Sequence, residues 1–257
     1  MFNTINYECH EGISWIKLNR PDKLNAFIAE MNREITQAVK QAAKDEKVRC
    51  IVITGEGRAF CSGQDLAEVN DDTNHGDLLR NHYTPMVKVI MACEKPIIAA
   101  VNGVAAGAGF SLALACDFRL ASEKASFINA FVNIGLIPDS GNLHFLSHVV
   151  GRAKAIEISV LGEKIPAQKA LELGVINRVI PQDTWQKEVE EFAIKLAKMP
   201  TKAIGLIKRY LTLAENLPLD AYLEKEAEGQ RIAGLTKDAK EGVQAFIEKR
   251  QPEYIGQ

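Results

Sequence analysis

A chain of 257 residues with 47% hydrophobic and 25% charged residues has ordinary globular composition, long enough to bury one large core with or without a helical appendage. A net charge of −2 with interleaved acids and bases offers no footprint for nucleic acid, and no apolar run approaches the roughly eighteen residues of a membrane helix. Neither nucleic acid nor membrane is therefore an expected partner. Five scattered cysteines, Cys9, Cys50, Cys61, Cys93 and Cys116, never in a Cys-x-x-Cys pair, speak against a disulfide framework or a thiolate metal site. The amino terminus also lacks the basic start and apolar stretch of a secretory signal, so a reducing cytoplasm is expected.

Ile13, Trp15, Ile16 and Leu18 mark a short strand ending in the turn-rich Asn19-Arg20-Pro21-Asp22. Ile28, Met31, Ile35, Ala38, Val39 and Ala42 then recur at helical spacing, which predicts a helix with one face on a sheet. The continuous, mostly β-branched Cys50-Ile51-Val52-Ile53 predicts a strand covered on both faces, running into Gly55-Glu56-Gly57. Strand, glycine turn and helix return at residues 96–101, Asn102-Gly103 and residues 110–115, and Phe118-Arg119-Leu120-Ala121 reads as a further strand. This alternation predicts an α/β core with mostly parallel strands. From about Asp183 onward the pattern is helical, and a boundary near Pro200-Thr201 divides a core of residues 1–200 from a helical region of residues 201–257. Such a tail serves either to pack on a neighbouring subunit or to close the chain's own core.

Three segments carry candidate chemistry. Arg58-Ala59-Phe60-Cys61-Ser62-Gly63-Gln64-Asp65-Leu66 leaves the buried strand through small residues around a glycine, where uncovered amides can serve as anion or oxyanion donors; a plain strand-to-helix turn is the alternative. Val101-Asn102-Gly103-Val104-Ala105-Ala106-Gly107-Ala108-Gly109-Phe110 opens a helix, whose free amides suit a phosphate or a polarised carbonyl oxygen. Its glycine spacing misses the dinucleotide fingerprint, and no Lys-Ser or Lys-Thr follows to complete a phosphate loop. Ile134-Gly135-Leu136-Ile137-Pro138-Asp139-Ser140-Gly141 holds one acid in a stiff turn. Burial beside an apolar pocket would raise the Asp139 pKa into the range of a general base; capping the helix that begins near Asn142 is the competing role.

Together these segments resemble the enoyl-CoA hydratase/isomerase, or crotonase, superfamily. The likeness extends over Asn19-Arg20-Pro21 with Leu24-Asn25-Ala26, the Phe60 to Leu66 loop, Lys95-Pro96 through Asp117, Gly135 to Gly141, and the terminal Phe246-x-x-Lys249-Arg250. It implies a spiral of ββα units with a C-terminal helical trimerisation region, assembled as a homotrimer or a dimer of trimers. It implies an acyl-CoA thioester as partner, with Gln64 and Ala108 supplying the two backbone N–H groups of an oxyanion hole. Two preorganised donors of that kind usually supply the largest share of catalysis in such a site. By the same resemblance Lys23, Leu24, Ala26, Ser62, Asp65, Leu66 and Lys249 would contact coenzyme A, although Lys23 and Lys249 equally suit solvated surface charges.

Hydratases of the superfamily use two glutamates, and the matching positions here are Ser111 and Phe131, neither of which can replace a carboxylate in proton transfer. Asp139 matches the single aspartate of members that shift double bonds or open strained rings, so an isomerase is expected, needing no metal or redox cofactor, with Ser111, Phe131 and Leu136 beside the acyl group. A hydratase or hydrolase working through Asp139 and water, and a non-catalytic acyl-CoA-binding subunit, are the alternatives. Asn142, Leu143 and His144 depart from the isomerase pattern. His144 and His148 share a helix face at metal-ligand spacing but lack a third ligand in the sequence nearby, so no metal site is expected. Polar residues 70–77 suit a mobile cover, and Leu78, Leu79, Tyr83 and Val87 beyond it suit either pocket lining or helix core.

Overall fold

In a computed structural model that describes residues 2–70 and 72–257, the chain opens with an antiparallel hairpin of β1 (Ile5–His10) and β2 (Ile13–Leu18). Glu11 and Gly12 both take positive φ at its tip, as tight hairpin turns require. Strand β1 is a sheet edge in which Ile5, Tyr7 and Cys9 alternate with Asn6, Glu8 and His10, and of these only Ile5 is fully buried.

Helix α1 (Ala29–Lys44) follows, burying Met31, Ile35, Ala38, Val39 and Ala42 as their spacing predicts. Three similar units come next. Strands β3 (Cys50–Gly55) and β4 (Ala59–Cys61) precede α2 (His75–Leu78), one π-helical turn (Leu79–Tyr83) and α3 (Thr84–Ala92). Strands β5 (Ile97–Val101) and β6 (Val104–Ala106) precede α4 (Ala108–Ala115). Strands β7 (Phe118–Ser122) and β8 (Ser126–Ile128) precede a 3₁₀ turn (Ala130–Ile134) and α5 (Asn142–Leu161). The remainder is β9 (Lys164–Pro166), α6 (Ala167–Glu172), β10 (Arg178–Ile180), α7 (Trp185–Ala197), α8 (Thr201–Asn216), α9 (Leu219–Gly234) and α10 (Lys237–Glu248).

In each unit the long strand joins one sheet and the short strand another. The first sheet has the order β1-β2-β3-β5-β7-β10 and is parallel apart from β1; the second has the order β4-β6-β8-β9 and is parallel apart from β9. This is the spiral of ββα units expected. Successive side chains of a strand face opposite ways, so Ile51 and Ile53 enter the core shared with α1 and α4, while Cys50 and Val52 meet Val189, Ala193 and Leu196 of α7. Two covered faces explain the unbroken apolar run of β3. All five cysteines are free, and among the described residues no helix is long and apolar enough to cross a membrane.

The tail helices are tied to this body by charge. Lys208 of α8 reaches Asp117 at 2.7 Å and donates to the carbonyls of Cys93 and Lys95 at 2.6 and 3.0 Å. Burial pushes the Asp117 carboxyl up, and the Lys208 charge beside it works in the opposite direction. Removing one partner of such a pair leaves the other charge poorly solvated. Lys208→Met is therefore expected to cost about 2–3 kcal/mol and lower Tm by roughly 5–10 °C, measured by scanning calorimetry.

Candidate active site

Strand β4 delivers the chain into Ser62-Gly63-Gln64. The Gly63 carbonyl accepts from Phe27 N at 2.7 Å, and Asp65 N donates to Phe27 O at 2.9 Å, so Gln64 is pinned in a parallel bridge. Gly63 has φ 98°, and a methyl group there would lie 3.0 Å from the Ala106 carbonyl oxygen and 3.5 Å from Ala108 N. A methyl on Gly109 would lie 2.3 Å from the Cys61 carbonyl oxygen. Glycine at these two positions lets the loop after β4 and the start of α4 meet backbone to backbone. Ala108 is the first residue of α4, and neither its N–H nor that of Gln64 meets an acceptor among the described residues. Two free amides thus lie on adjoining segments at a helix amino terminus, the electrostatics that favour a partial negative charge.

Asp139 is half-buried in the link before α5. Its main-chain oxygen accepts from Asn142 N at 2.9 Å and from Ser111 Oγ at 3.0 Å, and Ser140 and Gly141 follow with φ 54° and 80°. The carboxylate accepts from Ser140 Oγ at 2.9 Å. Burial raises its pKa, opposed by the Ser140 hydrogen bond and by the charge of His75. Asp139 does not cap α5: Gly141 is the N-cap residue and no side chain bonds to the helix start. The capping alternative is thereby excluded.

Ser111 is fully buried on α4. Its hydroxyl, 3.3 Å from Gly107 O and bonded to Asp139 O, also accepts from Asn142 Nδ2 at 3.2 Å; Asn142 Oδ1 accepts from Asn129 Nδ2, which donates to Ser159 Oγ as well, both at 2.9 Å. Ser111 is thus a tie beneath the Asp139 loop, and Asn142 completes the tie. Phe131 is buried with its ring tip 3.9 Å from where a Gly107 methyl would sit, and half-buried Leu136 donates its N–H to Phe131 O at 3.0 Å.

Tyr83 is core, as its ring packed edge-on against Phe27 shows, yet its hydroxyl donates to Gln64 Oε1 at 2.5 Å. Burial first, then the nearby Cys61 and Asp139, push this phenol upward. Its sequence signal was ambiguous because a tyrosine in an apolar helix reads as packing; the π-helical turn that aims it is invisible in periodicity. Leu78 and Leu79 pack partly buried on the same core. In the cover segment 70–77, Asp71 lies outside the described residues, while His75 begins α2 close enough for its charge to act on Asp139.

Residues 23–26 and 62–66 run side by side. Ser62 N donates to Leu24 O at 3.0 Å and Ser62 Oγ to Lys23 O at 3.4 Å; Lys23 and Leu66 are exposed, and Ala26 is buried. Asp65 is braced by Arg20 at 2.9 Å, which also donates to Ala26 O at 2.6 Å, and that guanidinium holds the Asp65 carboxyl low. Arg20 is a structural residue the motif reading did not assign. Lys249 caps the far end of α10 with φ 56°, exposed and without a hydrogen bond to this strip in its own chain.

Two sheets built from ββα units thus carry two free amides and one half-buried acid. The chain belongs to the enoyl-CoA hydratase/isomerase family, whose profile matches residues 8–257. It is 40% identical over 261 residues to the 1,2-epoxyphenylacetyl-CoA isomerase of Escherichia coli K12, covering 100% of both chains. It is 41% identical over 256 residues to a "probable enoyl-CoA hydratase" of Rhodobacter capsulatus, covering 99% of each. The crystal structure of an enoyl-CoA hydratase subunit from Geobacillus kaustophilus superposes with a TM-score of 0.94 at 36% identity, over 100% of this chain and 99% of that one.

A raised carboxyl pKa fixes the sign of a stability test. Below the unfolded value of 3.8 the acid is protonated in both states and costs nothing; as pH rises through the folded value the buried charge destabilises the fold. Asp139→Asn keeps an acceptor for Ser140 and discards the charge. It is expected to raise Tm at pH 7 by about 2–4 °C, on the order of 1 kcal/mol, with the gain shrinking toward acid pH in a calorimetric series.

Proposed function

We propose that this protein is an acyl-CoA isomerase that shifts a double bond, or opens a strained ring, through a thioester enolate, with Asp139 as its single acid and base. The observation that carries the proposal is the pairing of one desolvated carboxylate with two unsatisfied amides, while the other two positions of acid–base interest hold Ser111 and Phe131. The Ser111 hydroxyl is committed to a main-chain carbonyl and to Asn142, which suits it to support rather than to proton transfer.

In this mechanism the thioester carbonyl oxygen accepts hydrogen bonds from Gln64 N–H and Ala108 N–H. Asp139 removes a proton from the carbon next to the carbonyl, and the C–H electron pair moves into the enolate. The same carboxylic acid then returns the proton to the far end of the conjugated system, so the double bond moves and no atom is gained or lost. The step requires no metal or redox cofactor. Desolvation of Asp139 favours the base by making proton uptake easier. Exposed Ile134 and Ile137 lie in the segment leading to the acid and favour an apolar acyl group. The likeness to an epoxyphenylacetyl-CoA isomerase supports an aromatic or cyclic acyl-CoA within that class.

The strip of Lys23, Leu24, Ala26, Ser62, Asp65 and Leu66 is the proposed coenzyme A contact, with Lys249 reaching it from a neighbouring subunit. Exposed Leu211, Leu219, Val243, Phe246 and Ile247 on α8–α10 supply the apolar surface for a trimer or a dimer of trimers. On this reading residues 201–257 form the assembly region and residues 1–200 the catalytic core.

Incubation with a 3-enoyl-CoA and with crotonyl-CoA separates the reaction types, since double-bond migration and water addition differ in mass and absorbance. Wild type is expected to isomerise without hydrating, and Asp139→Asn to lose about 10³-fold in kcat while acyl-CoA binding survives. Hydration that survives the substitution would favour a hydratase, in line with the Rhodobacter relative; binding without turnover of any enoyl-CoA would favour a non-catalytic subunit. Tyr83→Phe keeps the packing and releases Gln64, so kcat is expected to fall about tenfold with little change in KM or Tm.

A further inference from the structure

We propose that His144, His148 and Glu215 form a divalent metal site of the zinc class that clips helix α8 to the start of helix α5. Four residues apart on α5, both histidines precede the non-helical Gly151, and their rings lie 4.5 Å apart between centroids. The third ligand, absent from the local sequence, arrives from α8: one ligand atom from each of the three side chains lies within 4.8 Å of the others.

The hydrogen bonding fits this role. His148 Nδ1 is 2.6 Å from the His144 main-chain oxygen, and a carbonyl only accepts, so Nδ1 carries the proton and Nε2 is left with its lone pair outward. A second-nitrogen bond of this kind orients metal-binding imidazoles generally. Glu215 forms neither an ion pair nor a hydrogen bond among the described residues, including with the two imidazoles it faces. The carboxylate thus stands beyond direct bonding distance yet within 4.8 Å of the imidazole nitrogens; metal–ligand distances of about 2.0–2.2 Å place tetrahedral ligands roughly 3.4 Å apart, so a shift of about 1 Å by these exposed side chains would close them on one ion. Two imidazoles and one carboxylate select zinc, nickel, copper or cobalt rather than calcium or magnesium. All three side chains are exposed, so water would complete the coordination.

The clip would have mechanical consequences. Helix α5 begins with Asn142, which holds Ser111 under the Asp139 loop, and α8 begins the tail. A metal bound here would restrain the tail against the helix that carries this tie.

The test uses the full chain without an affinity tag, stripped with chelator and titrated with Zn²⁺ by calorimetry, with thermal unfolding followed in parallel. One ion per chain is expected, weakened about tenfold or more by His148→Ala and by Glu215→Gln. At a Zn²⁺ concentration about 100 times Kd, wild-type Tm is expected to rise by roughly 5–10 °C, and far less in either variant. Equal affinity in wild type and both variants, loss of the site on His10→Ala (which breaks the other grouping, exposed His10 and Glu11 with half-buried Glu190), or superstoichiometric weak binding alone would overturn the proposal. Because the substituted side chains are exposed, unchanged circular dichroism of the metal-free variants separates lost binding from lost folding.

Discussion

The site depends on one steric constraint, the contact between the loop after β4 and the first turn of α4. Gly109 has the Cys61 carbonyl where its side chain would be, and Gly63 has the Ala106 carbonyl. At ordinary separation another side chain or a water would fill the space between these segments. At this separation the amides of Gln64 and Ala108 remain without acceptors among the described residues, held by strands and a helix that cannot swing to satisfy them. The cost of leaving two donors unpaired is borne by the surrounding core, where β4, β6 and α4 are almost wholly buried.

Around that contact the chain arranges two kinds of support. One is polar and internal: Ser159, Asn129, Asn142 and Ser111 form a buried relay ending on the main-chain oxygen of Asp139. It fixes where the acid's backbone sits while leaving its carboxylate, among the described residues, the Ser140 hydroxyl alone as hydrogen-bond partner, and desolvation is the largest influence on its charge. The other support is the pairing of Tyr83 with the Gln64 side chain, which restrains the loop bearing one free amide from the opposite side. Neither device bonds the Asp139 carboxylate or the two free amides. That accords with a reaction in which the protein contributes placement and fixed dipoles more than chemical functionality.

Much of this was legible in the sequence, for reasons that can be stated residue by residue. The unbroken apolar run of β3 and the helical spacing of Met31, Ile35 and Val39 are direct consequences of burial, and the glycine-containing segments at 58–66 and 101–110 read as sources of uncovered amides. Asp139 stood out as a lone acid among apolar residues. Short strands such as β6 were hidden because Val104-Ala105-Ala106 reads as part of a glycine-rich turn, and three residues are too few for periodicity to register. Ser111 looked like a missing catalytic acid; only three dimensions reveal that its hydroxyl serves the Asp139 carbonyl. The same holds for Arg20, whose partner Asp65 is forty-five positions away.

Asn142 shows how a departure from a motif can be misread from sequence. The sequence places it beside the acid as a departure from the isomerase pattern, yet it is fully buried and bonds Asn129 and Ser111. The residues beside it, Leu143 and His144, are exposed. A buried amide with partners on both its oxygen and its nitrogen tolerates little change, because replacing it strands a donor and an acceptor at once. Asn142 therefore belongs with the scaffold of the acid, and variation in substrate choice is better sought among the exposed apolar residues that border Asp139 and in the segment that carries His75.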